Sequence, residues 1–309
     1  MGRHPKGEPI SGWVCLDKPE GLGSTQAVAR VRRAFNARKA GHAGTLDPLA
    51  TGVLPIALGE ATKTVPYLVD ATKTYRFTIA WGVQTTTFDR EGAVTAMSAA
   101  RPRPEDLGAA LQTFVGEIDQ IPPDFSAVKV GGARAYDLAR EGVAMELAPR
   151  RVVIHGARLT GGGDADHAEV EIDCGKGTYV RSLVRDLADA LGAVAHVSIL
   201  RRTRVGAFLE ERAVGLEFIE RMCDRGAPLE ALLPVETPLD DIPAVAVTTE
   251  DSFRLTQGRS IVLLPRQVET LRAALSASRT VSALHGGRIV ALCEMRAGRL
   301  NPTRVFHLA

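Results

Sequence analysis

Two strictly alternating apolar stretches, helices of regular periodicity set between them, and a group of short strand-like runs beyond a proline-rich segment predict an α/β protein of the α+β type. The strands and helices make one mixed core of roughly 230 residues, and the terminal runs make a small β-rich unit. Composition agrees: of 309 residues, 24% are charged and 45% belong to the AVILMFWYC set, as in ordinary globular proteins. A disordered, collagen-like or disulfide-rich chain is excluded.

In order along the chain, Ser24 reads as the cap of a helix through Asn36, with Val28, Val31 and Phe35 on one face and Arg30, Arg32 and Arg33 largely off it. Residues 74–81 alternate: Tyr75, Phe77, Ile79 and Trp81 point one way, Thr74, Arg76, Thr78 and Ala80 the other. That is a half-buried strand. Pro104, acids at 105 and 106, apolar Leu107, Leu111, Phe114 and Val115, and then Gly116 form a short helix with proper ends. Residues 122–150, with Gly131-Gly132, read as an excursion carrying a short helix at 134–141. Residues 168–174 alternate as a second strand, and Thr178–Leu191 is a helix with Val180, Leu183, Val184, Leu187 and Leu191 inward, stopped by Gly192. After Pro234, Pro238 and Pro243, the runs VAVTT, SIVLLP, GRIVALCEM and TRVFHLA read as strands separated by turns. The predicted domains are 10–239 and 240–309.

The formal net charge is only +2, but it is unevenly distributed. Residues 1–63 hold nine Lys/Arg against five acids, residues 174–206 six against two, and residues 240–309 nine against six. Residues 207–239 hold seven acids against three arginines. Separate basic segments are either solvated faces or parts of one polyanion-binding surface, and charge alone does not choose.

Cys15, Cys174, Cys223 and Cys293 form no C-x-x-C pair, and the seven histidines lack ligand spacing. No metal, cofactor or disulfide framework is expected. The N-terminal residues lack the apolar core of a signal peptide and no stretch approaches a membrane span, so a reduced cytoplasmic protein is expected.

Gly41–Gly59 packs four glycines, two prolines and one acid, Asp47, into an apolar context. An Asp-Pro turn is commonly structural. The alternative is a carboxylate presented on a rigid loop as a nucleophile.

GHAGTLDPLATGVLPIALGEATK at 41–63 resembles the catalytic motif of the TruB-type tRNA pseudouridine-55 synthases. LDKPEGLGS (16–24), KTYRFTIAWGVQTTTFDREG (73–92), IPPDFSAVKVGGARAYDLAREG (121–142), CGKGTYVRSLVRDLADALG (174–192) and LRRTRVGAF (200–208) continue the resemblance in family order. The tail from about 240 is similar to a PUA-like end domain. The resemblance implies a mixed, mainly antiparallel sheet flanked by helices, with 122–150 as a thumb-like insertion.

It also implies a redox-neutral, cofactor-free and metal-free isomerisation of one uridine in the T-loop of tRNA, by a stand-alone, cytoplasmic monomer without a protein partner. Asp47 corresponds to the catalytic aspartate, attacking sugar or base, and Arg181 to the cation beside it. Tyr75 corresponds to the tyrosine that stacks on the uracil, with a possible part in proton transfer. Tyr179 and Leu200 correspond to pocket residues that contact the base, and His42 to the side chain that fills the space left by the flipped nucleotide. Lys18, in the LDKP motif, is implied either in substrate contact through phosphate or in supporting the loop. Ala43 and Ala207 depart from the common pattern without touching a reactive group. Two other readings remain: a guide-RNA-dependent synthase, and a tRNA-folding helper that binds without essential catalysis.

Overall fold

The computed structural model describes residues 7–308 apart from Ala127, Ala144 and 276–278. In chain order the first part contains β1 (Gly12–Lys18), α1 (Ser24–Ala34), β2 (Ala40–His42), β3 (Thr51–Leu58), α2 (Val65–Val69) and β4 (Lys73–Trp81). Then follow β5 (Val83–Thr85), β6 (Val94–Met97), α3 (Pro104–Thr113), β7 (Gly116–Gln120), β8 (Lys129–Val130), β9 (Ala133–Arg134) and α4 (Ala135–Arg140). The centre closes with β10 (Arg150–Gly163), β11 (His167–Cys174), α5 (Val180–Ala190), β12 (Ala195–Val205), β13 (Phe208–Leu209), β14 (Val214–Gly215) and α6 (Leu216–Asp224). The tail has β15 (Ala244–Ala246), α7 (Thr249–Thr256), β16 (Ile261–Val262), α8 (Pro265–Ala274), β17 (Thr280–His285), β18 (Arg288–Arg296) and β19 (Arg299–Val305).

The main sheet runs β14-β1-β3-β12-β4-β11-β10-β7, with β13 paired to β12 and β2 to β3. Only β1/β14 and β3/β12 are parallel; every other pair in it is antiparallel. The expected mixed, mainly antiparallel sheet is therefore present. On one face Val14, Leu16, Leu54, Ile56, Phe77, Ile79 and Leu200 pack with Ala27 and Val31 of α1, Leu107 and Leu111 of α3, Leu183 and Leu187 of α5 and Ile219 of α6. On the other, Trp13, Cys15, Val53, Ala57 and Phe208 meet Leu68 of α2 and Ile289, Leu292 and Phe306 of the tail.

Burial on both faces explains why β1 and β3 show no alternation in the sequence, whereas the half-exposed β4 and β11 do. The tail forms its own sheet, β15-β17-β18-β19-β16, with a separate core around Leu255, Val281, Ala291 and Leu300. It differs from the strand-only expectation by two helices, α7 and α8, whose single buried leucines, Leu255 and Leu271, give almost no periodic signal.

The tail is clamped to the main sheet just after β3. Glu60 accepts from the His307 N–H (2.8 Å) and from Lys63 Nζ (2.6 Å), and Lys63 also donates to the Val305 carbonyl (2.8 Å).

Ser24 is not the cap of α1. Gly23 occupies that position, with its N–H held by the Gln26 side chain, and Asn36 lies beyond the helix at φ +47. The Ser24 hydroxyl instead donates to the Leu46 carbonyl and accepts from the Leu46 N–H, both at 2.8 Å. It ties α1 to the segment that carries Asp47.

Candidate active site

The residues between β2 and β3 form a loop whose shape is set from several directions. Gly44 adopts φ +86 and Gly52 φ +99, conformations that L side chains rarely adopt. A Cβ on Gly52 would run into the Arg202 carbonyl of β12, so the β3/β12 approach demands glycine there. The Ala50 N–H bonds the Asp47 carbonyl (3.1 Å), closing the Asp-Pro turn, and the Gly21 N–H bonds the Pro48 carbonyl (2.9 Å). Leu46, Leu49 and Ala50 are buried around the turn. Asp47 is thereby lifted to the wall of a cavity of about 260 Å³ that Tyr75, Tyr179, Arg181, Leu200 and Arg202 also line.

Arg181 stands in the first turn of α5 and is 3% exposed. Its Nη2 lies 2.8 Å from Asp47 Oδ2, and its Nε 3.6 Å from Asp89 Oδ2. Nη1 donates to the Thr87 carbonyl (3.0 Å) and Nη2 to the Phe125 carbonyl (2.8 Å). A guanidinium fits this place because it stays charged and its planar fork reaches several acceptors at once. The Asp47 side chain keeps 35% of its surface accessible, so one edge is held by the cation while the rest faces the cavity.

Tyr75 sits on β4, paired with Arg202 of β12 and Ile172 of β11. It packs against the main core and lines the cavity, so it serves both surroundings. Burial pushes its phenol pKa up, against the lowering effect of the Arg202 guanidinium; the resting hydroxyl is protonated. Tyr179 is the N-cap residue of α5, and its N–H is received by Gln120 Oε1 at 2.8 Å. Burial raises its phenol pKa as well. Leu200, 5% exposed on β12, closes the cavity floor from the core side.

His42 lies on β2 opposite Ile56, beside Gly44 and Arg202 but not itself among the residues that line the cavity. Burial, with Arg202 nearby, depresses its pKa below 6.5, so the ring is neutral at pH 7. Lys18 differs most from a substrate contact. It is wholly buried, and its ammonium donates to the carbonyls of Pro19 (2.9 Å), Leu22 (2.8 Å) and Pro48 (3.2 Å). All three protons are engaged and none faces a phosphate, so of its two expected roles the geometry matches loop support. Burial brings its pKa down to about 8.

Sequence reasoning missed three members of this site. Asp89, 3% exposed, is a second carboxylate on Arg181; it also accepts from the Thr87 hydroxyl (2.5 Å) and the Glu91 N–H (3.0 Å). Lys73 lines the cavity with its pKa brought down to about 8 by burial and by Arg202. Arg202 is 1% exposed. On β12 Leu200 and Arg202 are buried and Arg201 between them is not, but an irregularity between Arg202 and Arg204 leaves Thr203 buried and Arg204 less so, so strict alternation does not single Arg202 out. Among the described residues no group of His, Cys, Asp and Glu is arranged to hold a metal ion, and no helix is long and apolar enough to cross a membrane.

An aspartate held by a buried arginine beside a tyrosine-walled cavity, on a mixed sheet of this order, defines the class of pseudouridine synthases. Within that class the chain belongs to the TruB family. The model of the TruB family pseudouridylate synthase N-terminal domain matches residues 32–180, and that of the tRNA pseudouridylate synthase B C-terminal domain matches 181–240.

The proteins named tRNA pseudouridine synthase B from Caulobacter sp. strain K31 and Caulobacter vibrioides are 67% and 65% identical, each over the full length of both chains. The one from Rhodospirillum rubrum is 46% identical, again over both full lengths. Among solved structures, a chain of a Cbf5–Nop10–Gar1 complex superposes with a TM-score of 0.73 at 25% identity, covering 96% of this chain and 85% of that one.

Proposed function

We propose that the protein isomerises uridine 55 in the T-loop of tRNA to pseudouridine, acting alone. Pseudouridine synthase activity on tRNA follows from the family and from relatives alike over their whole length. The single observation that carries the chemical reading is the 2.8 Å contact of Arg181 with Asp47 at the cavity wall.

Asp47 is the nucleophile. Arg181 holds one edge of its carboxylate, while the accessible edge attacks the flipped nucleotide. The N1–C1′ bond breaks, the base turns, the C5–C1′ bond forms, and the bond that Asp47 made to the sugar or base breaks again, returning the free carboxylate. The C5 proton leaves and N1 ends protonated, so atoms and charge balance without an oxidant. Tyr75 supplies a face for the uracil, worth roughly 1–3 kcal/mol per stacked base. Tyr179 and Leu200 complete the walls.

Extruding the nucleotide costs a few kcal/mol. A neutral, planar imidazole such as His42 suits the space left in the RNA loop. Residues 122–150 close over the T-arm, and exposed basic side chains from 1–63, 174–206 and 240–309 follow its phosphates, whereas Lys18, Arg181 and Arg202 are buried. A cytoplasmic monomer fits this work. The identity of 46–67% over the full length of proteins named tRNA pseudouridine synthase B supports stand-alone action on tRNA.

The test is chemical mapping of pseudouridine in an unmodified tRNA transcript incubated with purified protein alone. A single new pseudouridine at T-loop position 55 is expected. Conversion only with an added guide RNA, or binding without conversion, would replace this reading with one of its two rivals. Affinity should fall steeply with salt; a salt-independent Kd would count against a phosphate-tracking surface.

A further inference from the structure

The two buried arginines of the site are partnered in opposite ways. Arg181 faces two carboxylates, Asp47 and Asp89. Arg202, on the other side of the same cavity, has no carboxylate within 4.0 Å among the described residues. Its guanidinium is bonded entirely to neutral acceptors: Nε to the Val53 carbonyl (2.8 Å), Nη2 to the Gly44 carbonyl (3.1 Å), and Nη1 at longer range to the Thr45 carbonyl and the Tyr75 phenol oxygen (3.4 Å each). The guanidinium carbon lies 5.9 Å from the centre of the Tyr75 ring.

A fully buried cation without a counter-ion is costly, and a packed apolar side chain would ordinarily be more stable there. Here the loop is built around it. The φ of +86 at Gly44 turns that carbonyl onto Nη2, a Cβ on Gly44 would touch Nη1 at 3.5 Å, and Gly52 has no side chain because the Arg202 backbone lies against it.

We propose that Arg202 is a positioning residue of the isomerisation. Its fork fixes the Gly44–Thr45 turn, and with it the reach of Asp47, and at the same time bonds the Tyr75 oxygen. With that oxygen accepting from Arg202, the phenol proton is left free to point into the cavity. One side chain therefore sets the relative geometry of the two groups that meet the nucleotide. This rests on the reading of Asp47 as nucleophile.

The test compares Arg202→Met and Arg202→Lys with the native protein in single-turnover pseudouridine formation and in tRNA binding. Arg202→Met is expected to slow the single-turnover rate by about 100-fold or more, the effect of a misplaced reacting group, with tRNA affinity nearly unchanged. Arg202→Lys restores the charge but not the fork, and is expected to recover only part of that loss.

Native rates in either folded, tRNA-binding variant would overturn the proposal. So would an Arg202→Lys protein that loses tRNA binding and activity together, since a role in folding is then sufficient. Asp47→Asn is assayed alongside: if it stays active, the nucleophile reading fails whatever Arg202 does. If it is dead while Arg202→Met is fully active, only the present inference fails.

Discussion

The loop that carries Asp47 and the excursion at 122–150 are both held by Arg181, yet they are built on opposite principles. The loop is fixed from every side. Lys18 and Gly21 hold Pro48, Ser24 holds Leu46, Arg202 holds Gly44 and Thr45, and Arg181 holds Asp47 itself. Those partners come from β1 and the turn after it, α1, β12 and α5.

The excursion is tied at its base. Arg181 donates to the Phe125 carbonyl, and Ser182 and Arg185 both donate to the Ile121 carbonyl. Further out, its backbone bonds are local: the hairpin β8–β9, and α4, joined by Ala135 N–H to Val128 O and Tyr136 N–H to Ser126 O. A region held by many long-range bonds opens only with the whole domain, whereas one held at a single end rearranges at small cost. Chemistry that tolerates errors of well under an ångström belongs on the first kind of structure, and capture of a large RNA on the second.

The largest effect that would sharpen this contrast is removal of the reactive group from the rigid loop. Asp47→Asn should lower single-turnover pseudouridine formation by about four orders of magnitude or more, with tRNA affinity within a few-fold, as read by base mapping and filter binding. An active variant would break the assignment at once.

Next comes a support rather than the nucleophile. Ser24→Ala leaves both the N–H and the carbonyl of Leu46 without their buried partner. Urea unfolding should show a loss of about 1–3 kcal/mol, and the rate should fall about 10- to 100-fold while affinity holds. If stability falls but the rate does not, the loop is less dependent on its anchors than its bonding implies.

A third effect is one of pH. Lys18 has its folded pKa brought down to about 8 from 10.5 by burial. Between those values the unfolded chain binds the extra proton, so this residue makes the fold gain stability as pH rises from 8 to 10.5. Thermal melts of Lys18→Met against the native protein should show a smaller gain across that window. Lys73, whose pKa is also about 8, adds a gain of the same sign, while Cys15, Cys174 and Cys293, raised by burial from 9.0, act in the opposite direction above about pH 9 in both proteins. An unchanged pH profile would mean that Lys18 is not ionising where its burial implies.

The smallest effect belongs to the excursion. Gly131 adopts φ +59 with open space around its missing side chain. Gly131→Ala should therefore cost only about 1 kcal/mol of local strain. It should shift tRNA affinity a few-fold at most and leave the saturated rate unchanged; a large rate loss would show that this segment takes part in the chemistry.

Much of this was legible in the residues. Alternation marked β4 and β11 because each buries one face, and the 3.6-residue periodicity marked α1, α3 and α5 because each lies on the sheet with one side wet. The Gly/Pro-rich setting of Asp47 singled out the loop, and the ordered motifs assigned Arg181 to it. The same local logic failed where local patterns carry no information. It took Ser24 for a helix cap, because serine before an apolar-periodic run is an ordinary N-terminal signal, when its true partner is Leu46. It passed over β1 and β3, and over α7 and α8.

By itself, then, the sequence determined the class of fold and the family, and it singled out Asp47 as the proposed nucleophile, since these are written in short-range periodicity and in compact motifs. Only the tertiary structure decided which charges meet. The buried face of β12 places Arg202 beneath Tyr75, 127 residues away in the chain. Lys18 is folded onto a carbonyl 30 residues away, and Asp89 reaches the arginine that also holds Asp47. Such partners depend on strand register and helix packing over the whole sheet, and a buried ionic group is defined by what surrounds it rather than by its neighbours in sequence.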